Sequence, residues 1–360
     1  MKVTILGAGA IGSAMTFPLT DNKHIVNLWG TEYDLKILET LTKNRNHPSL
    51  GVTLPSSVNF FYPEELENAL SGSEVIFIAV SSDAVNNVMR KILPFIEDRL
   101  EDLGIIILSK GLHEENGKVY LLSEIIERIA VRGEGGGMPT IAHVGGPCLA
   151  EELAVRAHTV VIYSSTDILF LHSCKSNFAT EYYHICLSQD IRGVEVCSAL
   201  KNTYTIAIGM CDGLAEARGI KSMNNLKAFI ISKAVKEMSL FAKLLGGSEE
   251  TAYGLAGLGD LEATSRKISG RQLMFGRMLG LGMSVKEAMT ALKEMGITTI
   301  EGYSTTRKAY NLLLRNKSIN VSPDTEFPLL TGVYKVLYEG KAVQEEIARV
   351  LEHHNYPLIG

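Results

Sequence analysis

The feature that most constrains this chain is a glycine pattern set between a strand and a helix. Val3-Thr4-Ile5-Leu6 runs into Gly7-Ala8-Gly9-Ala10-Ile11-Gly12, and the small residues Ser13 and Ala14 follow. A G-x-G-x-x-G turn alone is weak evidence, because glycine turns are common; after an apolar strand and at a helix start it points to a dinucleotide site. Gly7 permits the tight bend, Gly9 lets backbone approach a pyrophosphate, and Gly12 lets the helix lie close to the strand. The helix start then offers N–H groups to the anion. Gly7, Gly9, Ala10, Ile11 and Gly12 are therefore candidate residues for binding NAD or NADP.

A second strand, Ile25-Val26-Asn27-Leu28-Trp29, leads to Gly30-Thr31-Glu32-Tyr33-Asp34. An acidic residue about 20 positions past the glycines accepts hydrogen bonds from ribose hydroxyls, whereas a 2′-phosphate calls for Arg or Lys. Glu32 leans the expectation towards NAD. Thr31 facing the ribose with Glu32 in solvent is the other arrangement, and Lys36 lies close by.

The 360 residues allow two domains, and 46% hydrophobic with 21% charged residues is the composition of a soluble globular protein. A net charge of −5 and the lack of any basic block argue against nucleic acid as a partner. The five cysteines, Cys148, Cys174, Cys186, Cys197 and Cys211, include no CxxC pair. Neither a disulfide framework nor a zinc site is expected, and a reducing cytoplasm fits. Residues 2 to 17 are interrupted by the glycine turn and lack a charged leader, so no signal peptide is read there. No apolar run reaches transmembrane length. The histidines, His353-His354 included, show no HxH or HExxH spacing, so no metal is expected.

Up to about residue 190, short β-branched runs alternate with helical stretches. Strands are expected at Val3–Leu6, Ile25–Leu28, Val75–Val80, Ile105–Leu108, Ile141–Val144 and Val160–Tyr163. Continuous apolar runs between helices indicate a doubly wound parallel sheet. After about Arg192, helical periodicity takes over in Val194–Met210, Asn225–Leu245, Ser248–Leu255, Gly270–Leu281, Val285–Met295, Ser304–Leu314 and Val343–His353. Two domains, 1–190 and 191–360, are expected. Gly254-Leu255-Ala256-Gly257-Leu258-Gly259 is read as a junction between helices, and Gly133-Glu134-Gly135-Gly136-Gly137 as a flexible surface loop.

Ligands of open α/β sheets gather beyond the carboxyl ends of the strands, which singles out two segments. Ser109-Lys110-Gly111 places a lysine at the crevice edge, although spacing alone fits a surface lysine equally well. Gly145-Gly146-Pro147-Cys148-Leu149-Ala150 offers backbone N–H groups, or is a plain strand-to-helix turn. In the second half, Lys201 and Asn202 stand inside an otherwise apolar helix. A buried lysine must find a carboxylate or lose its charge, and Asp260 is a candidate partner; a snorkelling lysine is the alternative. Arg271 beside a glycine is suited to fork a phosphate or carboxylate.

These segments, in order, resemble the NAD(P)-dependent sn-glycerol-3-phosphate dehydrogenases. The resemblance rests on Gly7 to Gly12, Ser109-Lys110-Gly111, Gly146-Pro147, Ser198-Ala199-Leu200-Lys201-Asn202, Asn225-Leu226-Lys227-Ala228, Gly254 to Leu261, Gly270-Arg271-Gln272, Glu301-Gly302, and Val333-Tyr334 with Leu337-Tyr338-Glu339-Gly340. It implies an α/β fold with an N-terminal Rossmann doubly wound sheet followed by an all-α C-terminal domain, 6-phosphogluconate-dehydrogenase-like. It implies hydride transfer between NAD(P)H and C2 of dihydroxyacetone phosphate, giving sn-glycerol 3-phosphate for phospholipid synthesis.

By the same resemblance Lys201 would pass the proton to and from the C2 oxygen. Lys110 would steady the developing oxyanion and touch both ligands, and Asp260 would orient Lys201 and bind a substrate hydroxyl. Arg271, with the backbone at Gly270 and Gln272, would hold the phosphate, while Asn202, Thr264 and Asn225 would support substrate and lysine. Gly146 and Cys148 stand where the family contacts substrate; Ala150 and Glu301, with Lys110 and Arg271, where it contacts cofactor. Domain closure would exclude water, and a cytoplasmic homodimer formed through the helical domain is implied.

The chain departs from the family in places. Ile11 replaces a frequent aromatic residue, and Gly30-Thr31 stands where many members have an arginine after the Trp, so the basic partner for a 2′-phosphate is missing from that stretch. Cys148 replaces Ser or Thr, and Gly270-Arg271-Gln272 replaces Ser-Arg-Asn. A related phosphorylated polyol therefore stays open as substrate, as do a ketopantoate reductase or β-hydroxyacid dehydrogenase on the same plan and a non-catalytic NAD(P) sensor.

Overall fold

The computed structural model describes residues 1–131, 137–315 and 321–352. The chain forms two compact units, Met1–His113 with Tyr120–Glu195, and Glu114–Val119 with Val196–Gly360. Gly133 to Gly136 of the expected surface loop, and His353 and His354, lie outside the described residues.

The first unit is built on eight strands: β1 (Lys2–Leu6), β2 (Ile25–Trp29), β3 (Asn59–Phe61), β4 (Val75–Ile78), β5 (Gly104–Ile107), β6 (Thr140–Gly145), β7 (Thr159–Ser164) and β8 (Tyr183–Ser188). Their order is β8-β7-β6-β5-β4-β1-β2-β3. Every neighbouring pair is parallel except β6 with β7, which is antiparallel. Chain direction across the sheet reverses between β1 and β4, and the glycine turn opens at that switch point, where such sheets bind ligands. Helices α1 (Ala10–Asp21), α2 (Leu35–Asn44), α3 (Leu66–Leu70), α4 (Val85–Ile92), α5 (Leu122–Ala130), α6 (Ala150–Ala154) and α7 (Ile168–Phe178) join the strands.

Successive strand residues serve opposite cores: Val3, Ile5, Phe77 and Ile106 pack on one side of the sheet, Leu6, Ile76, Ile78, Ile105 and Ile107 on the other. Because both faces are covered, β4 and β5 read as continuous apolar runs and β1 is interrupted only by Thr4 past its first residue, which is why they stand out in the sequence. The run expected over Val75–Val80 ends earlier, at Ile78, and Ala79 N–H still donates to the Leu6 carbonyl. β3 and β8 were not anticipated. β3 has only three residues, and β8 is an edge strand that exposes His184 and Cys186.

The second unit is helical: α8 (Ile191–Ala217), whose first residues belong to the first unit, then α9 (Asn224–Leu244), α10 (Asp260–Arg266), α11 (Arg271–Gly280), α12 (Val285–Glu294), α13 (Glu301–Arg315), α14 (Pro323–Glu326), α15 (Pro328–Glu339) and α16 (Val343–Glu352). The single helix expected over Ser248–Leu255 is instead a 3₁₀ turn, Glu249–Tyr253, followed by a π turn, Leu255–Gly259. The glycine-rich segment read as a junction is that π turn, and it runs directly into α10. Gly257 explains the tightness, since a Cβ there would stand 2.1 Å from the Ala252 carbonyl oxygen.

Helices α8 and α11 touch through backbone. A Cβ at Gly209 would lie 2.2 Å from the Leu273 carbonyl oxygen, and one at Gly276 would lie 2.0 Å from that of Ile206. One turn on, a Cβ at Gly213 would lie 2.1 Å from the Arg277 carbonyl oxygen, and one at Gly280 would lie 2.3 Å from that of Met210. Ordinary side chains would hold two helices about 8–10 Å apart. Gly302 does the same for α13, with a would-be Cβ 2.6 Å from the Asn202 carbonyl oxygen.

Candidate active site

In the first unit the three glycines of the turn have separate physical reasons. Gly7 has φ +115°, and a Cβ would meet the Ala79 carbonyl oxygen at 2.7 Å. A Cβ at Gly12 would stand 2.1 Å from the Gly7 carbonyl oxygen, so helix and strand meet through it. Gly9 has ordinary φ −67°, and a Cβ there would touch nothing within 4 Å. Neither backbone conformation nor packing requires glycine at position 9; what its missing side chain leaves is open space over the N-terminus of α1. That is the space a pyrophosphate occupies in such turns, so the residues present fit a dinucleotide. Ala10 and Ile11 form the first turn of α1 beside it.

The turn is held from outside. Buried His47 donates through Nε2 to the Ala8 carbonyl at 3.1 Å, while its Nδ1 accepts from Leu50 N–H at 3.2 Å. That pattern requires a neutral ring, and burial lowers its pKa accordingly. The Asp34 carboxylate accepts from Thr31 N–H and Oγ at 2.8 and 2.9 Å. Glu32, by contrast, projects outward and pairs with Lys91 of α4 at 2.8 Å. Sequence reasoning missed His47 and Lys91, and no spacing rule could have linked them to the turn.

At the carboxyl ends of adjacent strands β5 and β6, half-buried Lys110 donates to the Gly146 carbonyl at 3.1 Å. Ser109 Oγ donates to the Val80 carbonyl at 2.6 Å and so ties the loop after β5 to the loop after β4. Gly146 adopts φ +93°. Half-buried Cys148 and Ala150 follow, Ala150 as the first residue of α6.

In the second unit α8 delivers Lys201 into a nearly closed environment, 8% exposed. Its Nζ donates to Asp260 Oδ1 at 2.9 Å and to Thr264 Oγ1 at 2.8 Å. Asp260 is the first residue of α10, and Thr264 stands one turn later on the same face, 3.3 Å from the carboxylate. An anionic carboxylate against a buried ammonium offsets the cost of burying either charge alone. Asn202 is buried next to Lys201, at the close approach of α13. Asn225 stands exposed in the first turn of α9.

Glu301, which opens α13, organises the remaining polar set. Its Oε1 accepts from Arg271 at 2.5 Å and its Oε2 from Gln272 Nε2 at 2.8 Å. Gln272 Oε1 accepts from Gly302 N–H at 3.1 Å, so both ends of the amide bind α13. Arg271 keeps about half its side chain exposed and follows Gly270, the N-cap of α11. A guanidinium beside helix N–H groups is an anion-binding arrangement.

Family models match both halves of the chain. NAD-dependent glycerol-3-phosphate dehydrogenase N-terminus covers residues 2–170, and NAD-dependent glycerol-3-phosphate dehydrogenase C-terminus covers 190–348. An NADP(+)-dependent glycerol-3-phosphate dehydrogenase of Archaeoglobus fulgidus is 42% identical over 96% of this chain and 97% of its own length. A glycerol-3-phosphate dehydrogenase [NAD(P)+] of Bacillus pumilus is 32% identical over 99% of this chain and 97% of its own. The crystal structure of glycerol-3-phosphate dehydrogenase from Coxiella burnetii superposes with a TM-score of 0.83 at 28% identity, covering 98% of each chain.

Proposed function

The chain belongs to the NAD-dependent glycerol-3-phosphate dehydrogenase family, and from that premise we propose how its own side chains divide the work. It is an NAD(P)-dependent oxidoreductase that interconverts dihydroxyacetone phosphate and sn-glycerol 3-phosphate, the latter a precursor for phospholipid synthesis. When bound, the nicotinamide supplies or accepts the hydride at C2. The protein must deliver the proton, stabilise charge on the C2 oxygen and hold the phosphate.

Lys201 is the proton donor in the reducing direction and takes the proton back in oxidation. The observation that carries this assignment is its buried ammonium, held by Asp260 and Thr264 in one hydrogen-bonded set. The carboxylate keeps the lysine charged until the oxyanion forms, and Thr264 fixes where Nζ points. Asp260 orients the lysine and receives a substrate hydroxyl. In the first unit Lys110 carries a second positive charge, and the family resemblance implies that it steadies the developing oxyanion. Arg271 with the N-terminal amides of α11 binds the phosphate. Glu301 aligns Arg271, and Gln272 acts through Glu301, because its amide is engaged by α13. Gly9 leaves room for the pyrophosphate, and Glu32 inclines the site towards NAD. The working form is a homodimer in the cytoplasm, as the family resemblance implies.

The test is dihydroxyacetone-phosphate-dependent oxidation of NADH and NADPH, with pyruvate, ketopantoate and longer ketose phosphates as competing substrates. Turnover confined to dihydroxyacetone phosphate is expected. Turnover with one of the other ketones alone would reassign the substrate.

A further inference from the structure

The loop after β2 lacks the arginine that would meet a 2′-phosphate, but a cation reaches it from a distant segment. Lys91 of α4 lies 59 residues from Glu32 in sequence, and its Nζ is 2.8 Å from Glu32 Oε1. The same Nζ sits over the face of Trp29, 5.4 Å from the ring centroid, at the carboxyl end of β2. Indole attraction holds the ammonium near that strand end, while its stem stays free to swing. The two side chains are 43% and 62% exposed, so parting them costs little. The other acid of the loop, Asp34, turns Oδ2 to Thr31 N–H and Oγ and to Ala8 N–H, bracing the loop against the glycine turn, while Glu32 is the acid that meets Lys91.

We propose that Glu32 and Lys91 form a two-way selector for the 2′ position of the adenosine ribose, Glu32 accepting from the hydroxyls of NAD and Lys91 receiving the 2′-phosphate of NADP. The proposal rests on the dinucleotide reading of the glycine turn. With an unphosphorylated ribose the ion pair persists, and the carboxylate adds a hydroxyl donor to its partners. A 2′-phosphate repels Glu32 and offers Lys91 a second anion, so the ammonium exchanges a carboxylate for a phosphate without new burial. Both cofactors are then accepted, and the preference follows the balance between one acid and one base.

Calorimetric titration of the full chain with NAD+ and with NADP+ tests the selector independently of turnover. Lys91→Ala should weaken NADP+ about tenfold or more, the scale of one hydrogen bond to a charged group, and leave NAD+ nearly unchanged. Lys91→Arg should restore NADP+ binding, and Glu32→Gln should weaken NAD+ while tightening NADP+. Thermal melts establish that each variant is folded. Equal effects of Lys91→Ala on the two nucleotides, or none on either, would overturn the proposal. Failure of the unaltered chain to bind either nucleotide would instead overturn the dinucleotide reading, and the selector with it.

Discussion

Lys201 Nζ lies 2.9 Å from Asp260 Oδ1, a contact between the middle of α8 and the first residue of α10 that is all but sealed from solvent, Asp260 being 2% exposed. Pairs this buried are seldom the most stabilising solution for a core, since hydrophobic residues of the same volume often do as well. Such a pair at this position fits a chemical role.

Replacing Lys201 with Met keeps the stem and removes the proton. The kcat for dihydroxyacetone phosphate reduction should fall about 100- to 10,000-fold. Nucleotide binding by calorimetry should be unchanged. The variant also strands Asp260, at a cost of roughly 3–5 kcal/mol. Adding Asp260→Asn should recover much of that stability in urea titrations and none of the turnover. Turnover returning with the double variant would rule out Lys201 as the proton donor.

Gly9 and Gly12 should separate binding from folding. Gly12→Ala forces a Cβ to within 2.1 Å of the Gly7 carbonyl, so its melting temperature should drop by several degrees. Gly9→Ala meets nothing in the protein and should melt near the parent temperature while losing nucleotide affinity. A Gly9→Ala chain that binds NAD+ and NADP+ as before would show that no pyrophosphate sits over the turn.

Arg271→Ala should raise KM for dihydroxyacetone phosphate by about 10- to 100-fold, with kcat falling less. The outcome depends on the guanidinium reaching the phosphate rather than merely pairing with Glu301. Phosphite added in trans should then stimulate the unaltered chain on the phosphate-free ketone and do so far less in the variant; an unchanged KM would assign Arg271 to the Glu301 contact alone.

Burial pushes Glu195 and Glu237 up to about 7 from 4.5. Between those values the folded chain holds protons that the unfolded chain has released, so stability from these groups falls as pH rises from 4.5 to about 7. Each carboxyl contributes of the order of 3 kcal/mol to that slope. Urea midpoints should therefore be lower at pH 8 than at pH 5.5. Glu237 accepts from the Leu329 and Leu330 amides and from Tyr204. Glu237→Gln turns an amide donor towards one of these and should be less stable throughout, but with a shallower pH slope. An unaltered slope in that variant would remove Glu237 as its source.

Much of the fold was legible because burial leaves a mark on composition. β4 and β5 are covered on both faces and read as unbroken apolar runs, and Lys201 stood out as a charge inside an apolar helix. β3 and β8 escaped because short or edge strands need no such run. The 3₁₀ and π turns before α10 look helical in composition, and only the pressure of Ala252 on Gly257 explains their winding. Side-chain direction was not legible at all. The backbone of Gln272 reads as a phosphate contact, and nothing in the sequence told that its side-chain amide would meet Glu301 and Gly302. His47 and Lys91 act from segments whose proximity exists only after the sheet has formed.

The glycine contacts between α8 and α11 carry a consequence for substrate size. One helix bears the proposed proton donor and the other the proposed phosphate anchor, and at Gly209, Gly213, Gly276 and Gly280 no Cβ stands between them to yield or repack. The spacing of the two helices is consequently set by main chain at those glycines, Lys201 and Arg271 are each held at the tip by hydrogen-bonded partners, and the unit works as a fixed gauge. A ketone whose carbonyl and phosphate are separated by the gauge length engages both ends at once. A longer ketose phosphate seats its phosphate and leaves its carbonyl out of reach of the proton.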